Sequence, residues 1–185
     1  PRVAAMAART DARVLTYGRA AGADLRAENV SARWPARLGF DLLVGGQRHR
    51  VETRFVGTIM LPSVLAALAV VHGLGRSLEL AILALRSIEP PFGRMTVVDG
   101  AHGRSYVLDT VKAPHWSTRM LADDLEEIGG KDTMFVLGEM SDMRSGRSRH
   151  YAGVARIAAQ HADHVVLTGA AAEADKRLRA DLLPN

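Results

Sequence analysis

Cysteine is absent from all 185 residues, which excludes disulfides, thiolate metal sites and a cysteine nucleophile. No apolar run is long enough to cross a bilayer; the longest, Val64 to Val71, falls far short, and no signal peptide opens the chain. A soluble, cytoplasmic protein without a membrane span is the expectation. No Gly-x-Gly-x-x-Gly lies between a strand and a helix, which argues against a dehydrogenase. Clustered charge of one sign is missing too. The formal net charge is +4 and the pI about 10, values that could suggest nucleic acid. The basic residues, however, are nearly all arginine and lie scattered among alanine and acids. That distribution describes a solvated surface, so no nucleic-acid partner is expected. Repeats and low-complexity segments are lacking as well.

What remains is a core-forming composition, 48% hydrophobic, in a length between one domain and two. The chain begins at Pro1 without methionine and ends Leu-Leu-Pro-Asn just after a predicted helix; it reads as a truncated fragment. Val3 to Arg9 reads as the tail of a helix, Arg13 to Tyr17 as a short strand, and Gly18 to Asn29 as a polar loop. Two alternating runs, Leu38 to Val44 and Arg48 to Val56, flank Gly45-Gly46, a strong hairpin signal. His49 falls in the polar register of that hairpin, as a surface histidine would. Leu61 to His72 predicts a helix with Pro62 in its first turn, where a missing N–H costs nothing, and Gly73 and Gly75 stop it. Ser77 caps a second helix, Leu78 to Ile88. Pro90 and Pro91 end that helix and mark a domain boundary, giving units 1–89 and 90–185.

Beyond the prolines the pattern changes. Met95 to Val98 and Ser105 to Leu108 predict a hairpin around Asp99-Gly-Ala-His-Gly103. Alternating elements follow: helix His115 to Ile128, strand Thr133 to Leu137, helix Ser148 to Gln160, strand His164 to Thr168, helix Ala171 to Leu183. The first of these helices carries Asp123, Asp124, Glu126 and Glu127 oddly late for its dipole. Continuous apolar strands alternating with helices imply an α/β fold with a mainly parallel, Rossmann-like sheet. Ligands gather outside the carboxyl ends of such strands, where Asp109, Gly138-Glu139 and Thr168-Gly169 fall. Asp109 and Lys112, beside the helix that Pro114 begins, form a candidate phosphate-handling corner. The competing reading of that corner is a solvated loop with one charge pair.

An ordered set of short motifs carries a resemblance over almost the whole chain. It comprises Gly57 with Leu65-Ala-Ala-Leu-Ala-Val and Leu74-Gly75; Gly93-Arg94-Met95; Leu108-Asp109 with Lys112-Ala113-Pro114; and Val136-Leu137-Gly138-Glu139-Met140 with His150 and Gly153. Together these resemble the Mur ligase superfamily, and Gly-Glu-Met followed by Ser, His and Gly most resembles the branch that adds D-alanyl-D-alanine to the UDP-muramoyl tripeptide. Val14-Leu-Thr-Tyr-Gly, Ala23-Asp24 and Glu28-Asn29-Val30 are similar to the later half of the family's central ATPase domain. On this resemblance residues 1–89 would end that central domain, and 90–185 would form an incomplete C-terminal domain.

The resemblance implies ATP-dependent amide synthesis with Mg²⁺. A substrate carboxylate attacks the γ-phosphate, and an amine then displaces phosphate from the acyl phosphate. The partners implied are ATP, a UDP-muramoyl-peptide-like acid, and an amino acid or dipeptide. Nucleotide contacts carry over to Arg94 on ribose or phosphate, Asp109 on ribose or a neighbouring base, Lys112 on the terminal phosphate as the catalytic cation, and His115 near the adenine. No metal ligand carries over. The Gly-rich phosphate loop with its Lys and Thr, the carbamate-bearing Lys and the magnesium-binding Glu are absent from these residues. Ile59 and Met60 stand where relatives have His or Asn, Ser63 stands for Asn, Leu108 for a frequent Asp, and Val111 and Lys112 for Tyr and Asn. The late Lys-Gly-Ser segment of the D-alanyl-D-alanine branch is also missing. These residues alone are therefore expected to show weak or no ATP hydrolysis. A non-catalytic Rossmann-like binding module is the alternative.

Overall fold

The computed structural model describes residues 4–143 and 145–173. A 3₁₀ stretch, Ala4–Arg9, leads to a four-stranded sheet of β1 (Tyr17–Gly18), β2 (Leu25–Ser31), β3 (Gly39–Val44) and β4 (Gln47–Glu52), in that spatial order. β1 is parallel to β2 and the remaining pairs are antiparallel. The Gly45-Gly46 hairpin forms with Val44 paired to Gln47 and both glycines at positive φ, 56° and 78°. A two-residue turn twisted to match its strands demands that backbone, and glycine adopts it without strain.

β2 lies where a polar loop was expected. Its residues alternate between the core and a charged face, with Leu25 and Ala27 buried. On the outer face Arg48 bridges Glu28 and Asp41 at 2.9 and 3.1 Å. Arginine and glutamate disguise the strand in sequence; cross-strand ion pairs make them acceptable on its solvent side.

Helices α1 (Leu61–Gly73) and α2 (Leu78–Leu85) cover the inner face. Pro62 sits in the first turn of α1, and the Ser77 hydroxyl accepts the Leu80 N–H at 3.2 Å to cap α2. Leu25, Leu38, Phe40, Leu42 and Val51 of the sheet side pack on Leu65 and Leu68 of α1, all at 1% exposure or less.

The second half opens with hairpin β5 (Arg94–Asp99) and β6 (Ser105–Asp109), continues through α3 (His115–Ile128), β7 (Met134–Leu137), α4 (Arg147–His161) and β8 (His164–Leu167), and enters α5 (Ala170–Glu173). The rest of the predicted last helix, residues 174–183, lies outside the described residues. β7 and β8 pair in parallel through the α4 crossover, from Met134↔His164 to Leu137↔Leu167, as a strand–helix–strand unit requires. A parallel bridge between Pro114 and Ser141 links the segment after β6 to the end of β7. The fold is mixed α/β with a parallel sheet, as its alternation implied.

β7 differs from expectation in one respect. Phe135 and Leu137 are buried, but Met134 and Val136 are about 60% exposed. α3 and α4 both pack on the Phe135 face, through Ala122, Tyr151, Val154 and Ala158. Among the described residues the opposite face stays open.

Candidate functional site

The turn after the double proline is set by Gly93. The Arg94 N–H closes it on the Pro91 carbonyl at 3.0 Å, and Gly93 holds φ at 73°. The Gly93 carbonyl accepts from Thr110 and Val111 at 2.9 and 3.2 Å, and a Cβ there would meet the Val111 side chain at 2.8 Å. Glycine is thus needed twice, for the backbone angle and for the close approach of the 110–112 loop. A bulge follows between Arg94 and Thr96 and turns Met95 inward, where it packs with Val56 and Ile128 in a small core shared by both halves.

This turn brings three of the four predicted residues to one place. Arg94 pairs with Asp109 across the open end of the hairpin. Its guanidinium Nη1 donates to the Lys112 carbonyl at 3.2 Å. The Lys112 ammonium reaches across to Asp142, just beyond β7, at 3.0 Å; both partners are about half exposed, so the pair contributes little stability and is readily exchanged for another anion. The exposed Lys112–Asp142 pair is what the solvated-loop reading expects; the bond from the guanidinium to the loop backbone is additional to it.

Burial pushes the Asp109 carboxyl above its ordinary value, and the Arg94 charge opposes that shift. A carboxyl raised in the folded state destabilises the fold while ionised, and that cost is relieved as pH falls through the raised value towards 3.8. Asp109→Asn should remove this dependence. In denaturant titrations from pH 7 downward, the parent chain is expected to gain stability relative to the variant until both carboxyl states are protonated. A constant difference across that range would show that burial does not govern this group.

His115 falls in a second, adjoining cluster. It opens α3, its N–H donates to the Ser141 carbonyl at 3.1 Å, and its ring lies against that of His150, 4.3 Å between centroids. His115 Nδ1 and Ser141 Oγ are buried and have no hydrogen-bond partners among the described residues. The Glu139-Met140-Ser141 loop is fixed from below by Tyr151, whose fully buried hydroxyl accepts the Met140 N–H at 2.9 Å. Gly138 meets Thr168 across the strand ends, where the Thr168 N–H donates to Leu137 at 2.9 Å. The expected edge therefore exists, with Asp109 joined to it through Lys112 and Asp142 rather than through its own sheet.

Sequence reasoning missed Tyr151 and Asp142, and it gave Ser141 and Asp124 no contacts. Asp124, one of the late acids of α3, is only 8% exposed and accepts from the Thr58 hydroxyl and, at 3.1 Å, from the Ile59 N–H. Its position is explained by donors in the first half and not by the dipole of its own helix. Beside it a cleft of about 570 Å³ runs between the halves, lined by Arg19 and Arg33 on one side and by Asp123, Glu126 and Glu127 on the other. Among the described residues no group of three or more His, Asp or Glu is placed to hold a metal ion, and no helix is long and apolar enough to cross a membrane.

The fold, an α/β half with a parallel strand pair joined to a sheet-and-helix half, has counterparts among solved structures. MurF from Acinetobacter baumannii matches over 97% of this chain and 38% of its own, with a TM-score of 0.78 at 22% identity. MurF from Thermotoga maritima, solved in complex with ADP, matches over 86% and 36% with a TM-score of 0.72 at 20% identity. These likenesses concern the fold. In sequence, the UDP-N-acetylmuramoyl-L-alanyl-D-glutamate–2,6-diaminopimelate ligase of Geobacillus kaustophilus is 28% identical over 86% of this chain and 32% of its own length. Residues 93–184 match the family model of the Mur ligase, glutamate ligase domain, and the chain belongs to the Mur ligase superfamily. It spans about a third of the length of the curated relatives it matches.

Proposed function

We propose that this chain is the later part of an ATP-dependent carboxylate–amine ligase of cell-wall precursor synthesis, with residues 1–89 ending the central ATPase domain and 90–185 belonging to the C-terminal domain. The observation that carries the reading is the convergence of Arg94, Asp109 and Lys112 at the open end of the β5–β6 hairpin. Acyl-phosphate chemistry must gather anions, so its main demand is positive charge held in place before the reaction. Arg94 is held by the Lys112 carbonyl, and the Lys112 ammonium is free to leave Asp142 for a phosphate oxygen. ATP fits that donor set: Arg94 would meet its phosphates or ribose, Lys112 its terminal phosphate, Asp109 its ribose or base, and His115 its adenine. The described residues offer no cluster for Mg²⁺, so the metal would be held by other parts of the protein. Bound there, it would neutralise phosphate charge.

For the amine, Gly138-Glu139-Met140 with Ser141 and His150 favours D-alanyl-D-alanine. The diaminopimelate-ligase relatives favour a diamino acid instead. Calorimetry of the intact protein with ATP and Mg²⁺ tests the shared reading. Binding that Lys112→Ala weakens by roughly tenfold is expected, the scale of one lost charge-assisted contact. No detectable ATP binding in the intact protein would leave a docking module in place of a ligase. Phosphate release with each amine in turn then assigns the branch. Residues 1–185 alone are expected to release none above background.

A further inference from the structure

Of the eight residues of α2, Glu79 alone is polar. A surface helix with one buried face carries polar residues on the other, and a helix that is apolar all round is covered on both sides. Among the described residues α2 is covered on one side only. Leu78, Ile82 and Leu85 are buried in the first core, whereas Leu80 and Leu83 are 69% and 60% exposed and Ala84 lies open beside them. These three form a strip at helical spacing. A groove of about 340 Å³ runs alongside it, lined by Glu79, Ile82, Leu83 and Arg86 of α2 and by His49 and Arg50 of β4. β4 is the edge of the sheet opposite β1.

We propose that α2 is a self-association surface, on which a second copy of this chain lays its own α2 antiparallel across Leu80 and Leu83.

The charges flanking the strip identify the occupant. Arg76, Glu79, Arg86 and Glu89 are all exposed. Glu79 and Arg86 lie equally far on either side of the point between Ile82 and Leu83, and so do Arg76 and Glu89. A second α2 running the opposite way about that point therefore sets Glu79 against the other copy's Arg86, and Arg76 against its Glu89. A two-fold axis repeats both pairs. Parallel pairing would instead set each charge against its like. β4, the other wall of the groove, offers no such match. Pairing two β4 edges would crowd Arg48, His49 and Arg50 of both copies together, and basic residues of this kind protect a free strand edge. The present partners do not block the surface. Arg86 lies 3.3 Å from Glu52 and Glu89 is paired with Arg54, with every partner more than half exposed, and such pairs are readily exchanged. Burial of the leucines supplies the attraction, and the charges set its direction.

Sedimentation velocity of the intact protein over a concentration series tests the proposal. One short helix pair is a small interface of the transient kind, so a monomer is expected at about 1 µM and a growing dimer fraction towards roughly 300 µM. Leu80→Ser with Leu83→Ser, both at exposed positions, should keep the native circular dichroism and stay monomeric throughout. Glu79→Arg alone should weaken the dimer by roughly tenfold, and Glu79→Arg with Arg86→Glu should restore it, because the pairs re-form with their signs exchanged. A dimer that survives the serine pair overturns the proposal. So does a charge-exchanged variant no tighter than Glu79→Arg. A parent that is monomeric at every concentration overturns it as well, and maleimide labelling of Leu83→Cys then separates the two alternatives. A shielded thiol means that another part of the same polypeptide covers the strip, and a freely reacting one means that nothing does. No nucleotide enters the readout, so it stands or fails separately from the ligase reading.

Discussion

An Arg94→Ala variant of the intact protein is expected to lose roughly 100-fold in kcat/KM for ATP-dependent amide formation, the scale of removing one preorganised electrostatic group from a developing charge. Preorganisation is the physical reason for so large an effect. The turn closed on Pro91, the left-handed Gly93 and the bond from Nη1 to the Lys112 carbonyl together fix the guanidinium before any anion arrives. Arg94→Lys keeps the charge but loses the planar fork, so it should recover only part of the loss. The bond to Lys112 raises a second route to inactivity, through a loosened 110–112 loop. Stability separates the two: Arg94 is solvent-accessible, and its removal should shift the unfolding midpoint little while the kinetic loss is large. Unchanged kcat/KM would remove Arg94 from the site.

Tyr151→Ala is expected to destabilise the chain by about 3–5 kcal/mol, the cost of emptying a fully buried aromatic position, measured by urea denaturation. Tyr151 is the largest fully buried side chain among the described residues and packs in the second core with Phe135, Leu137 and Val154. Tyr151→Phe divides the effect. It keeps the ring but leaves the Met140 N–H without its acceptor, for about 1–3 kcal/mol. That orphaned amide lies in the loop carrying Ser141 and Asp142, the partners of His115 and Lys112. Tyr151→Phe should therefore also weaken whatever binds at the strand ends, whereas a core truncation remote from the loop, such as Leu42→Ala, should not. A phenylalanine variant as stable as the parent would mean that water replaces the lost hydroxyl.

Local chemistry made much of this protein legible. Gly45-Gly46, Pro62, Ser77 and the twin prolines each act within a few residues of themselves through a fixed φ, a missing N–H or a capping hydroxyl, so the elements they punctuate lie within a few residues of where the sequence puts them. That Arg94 comes to lie beside Asp109 was legible for a related reason: a hairpin with a short loop returns the chain to its start. β2 was not, because Arg26 and Glu28 read as a loop until Arg48 and Asp41 arrive from neighbouring strands. Nor were Met134 and Val136 legible as exposed, since their composition gives no hint that both helices choose the other face.

Sequence by itself determined the superfamily, the alternation of strands and helices, and the hairpin that returns Asp109 to Arg94. Tertiary structure alone decided that Lys112 meets Asp142, that His115 lies on His150, and that Asp124 finds its donors 66 residues upstream. The difference is physical. Backbone preferences are written in neighbouring residues, but a buried carboxylate or a stacked ring is specified only by what the rest of the chain brings to it.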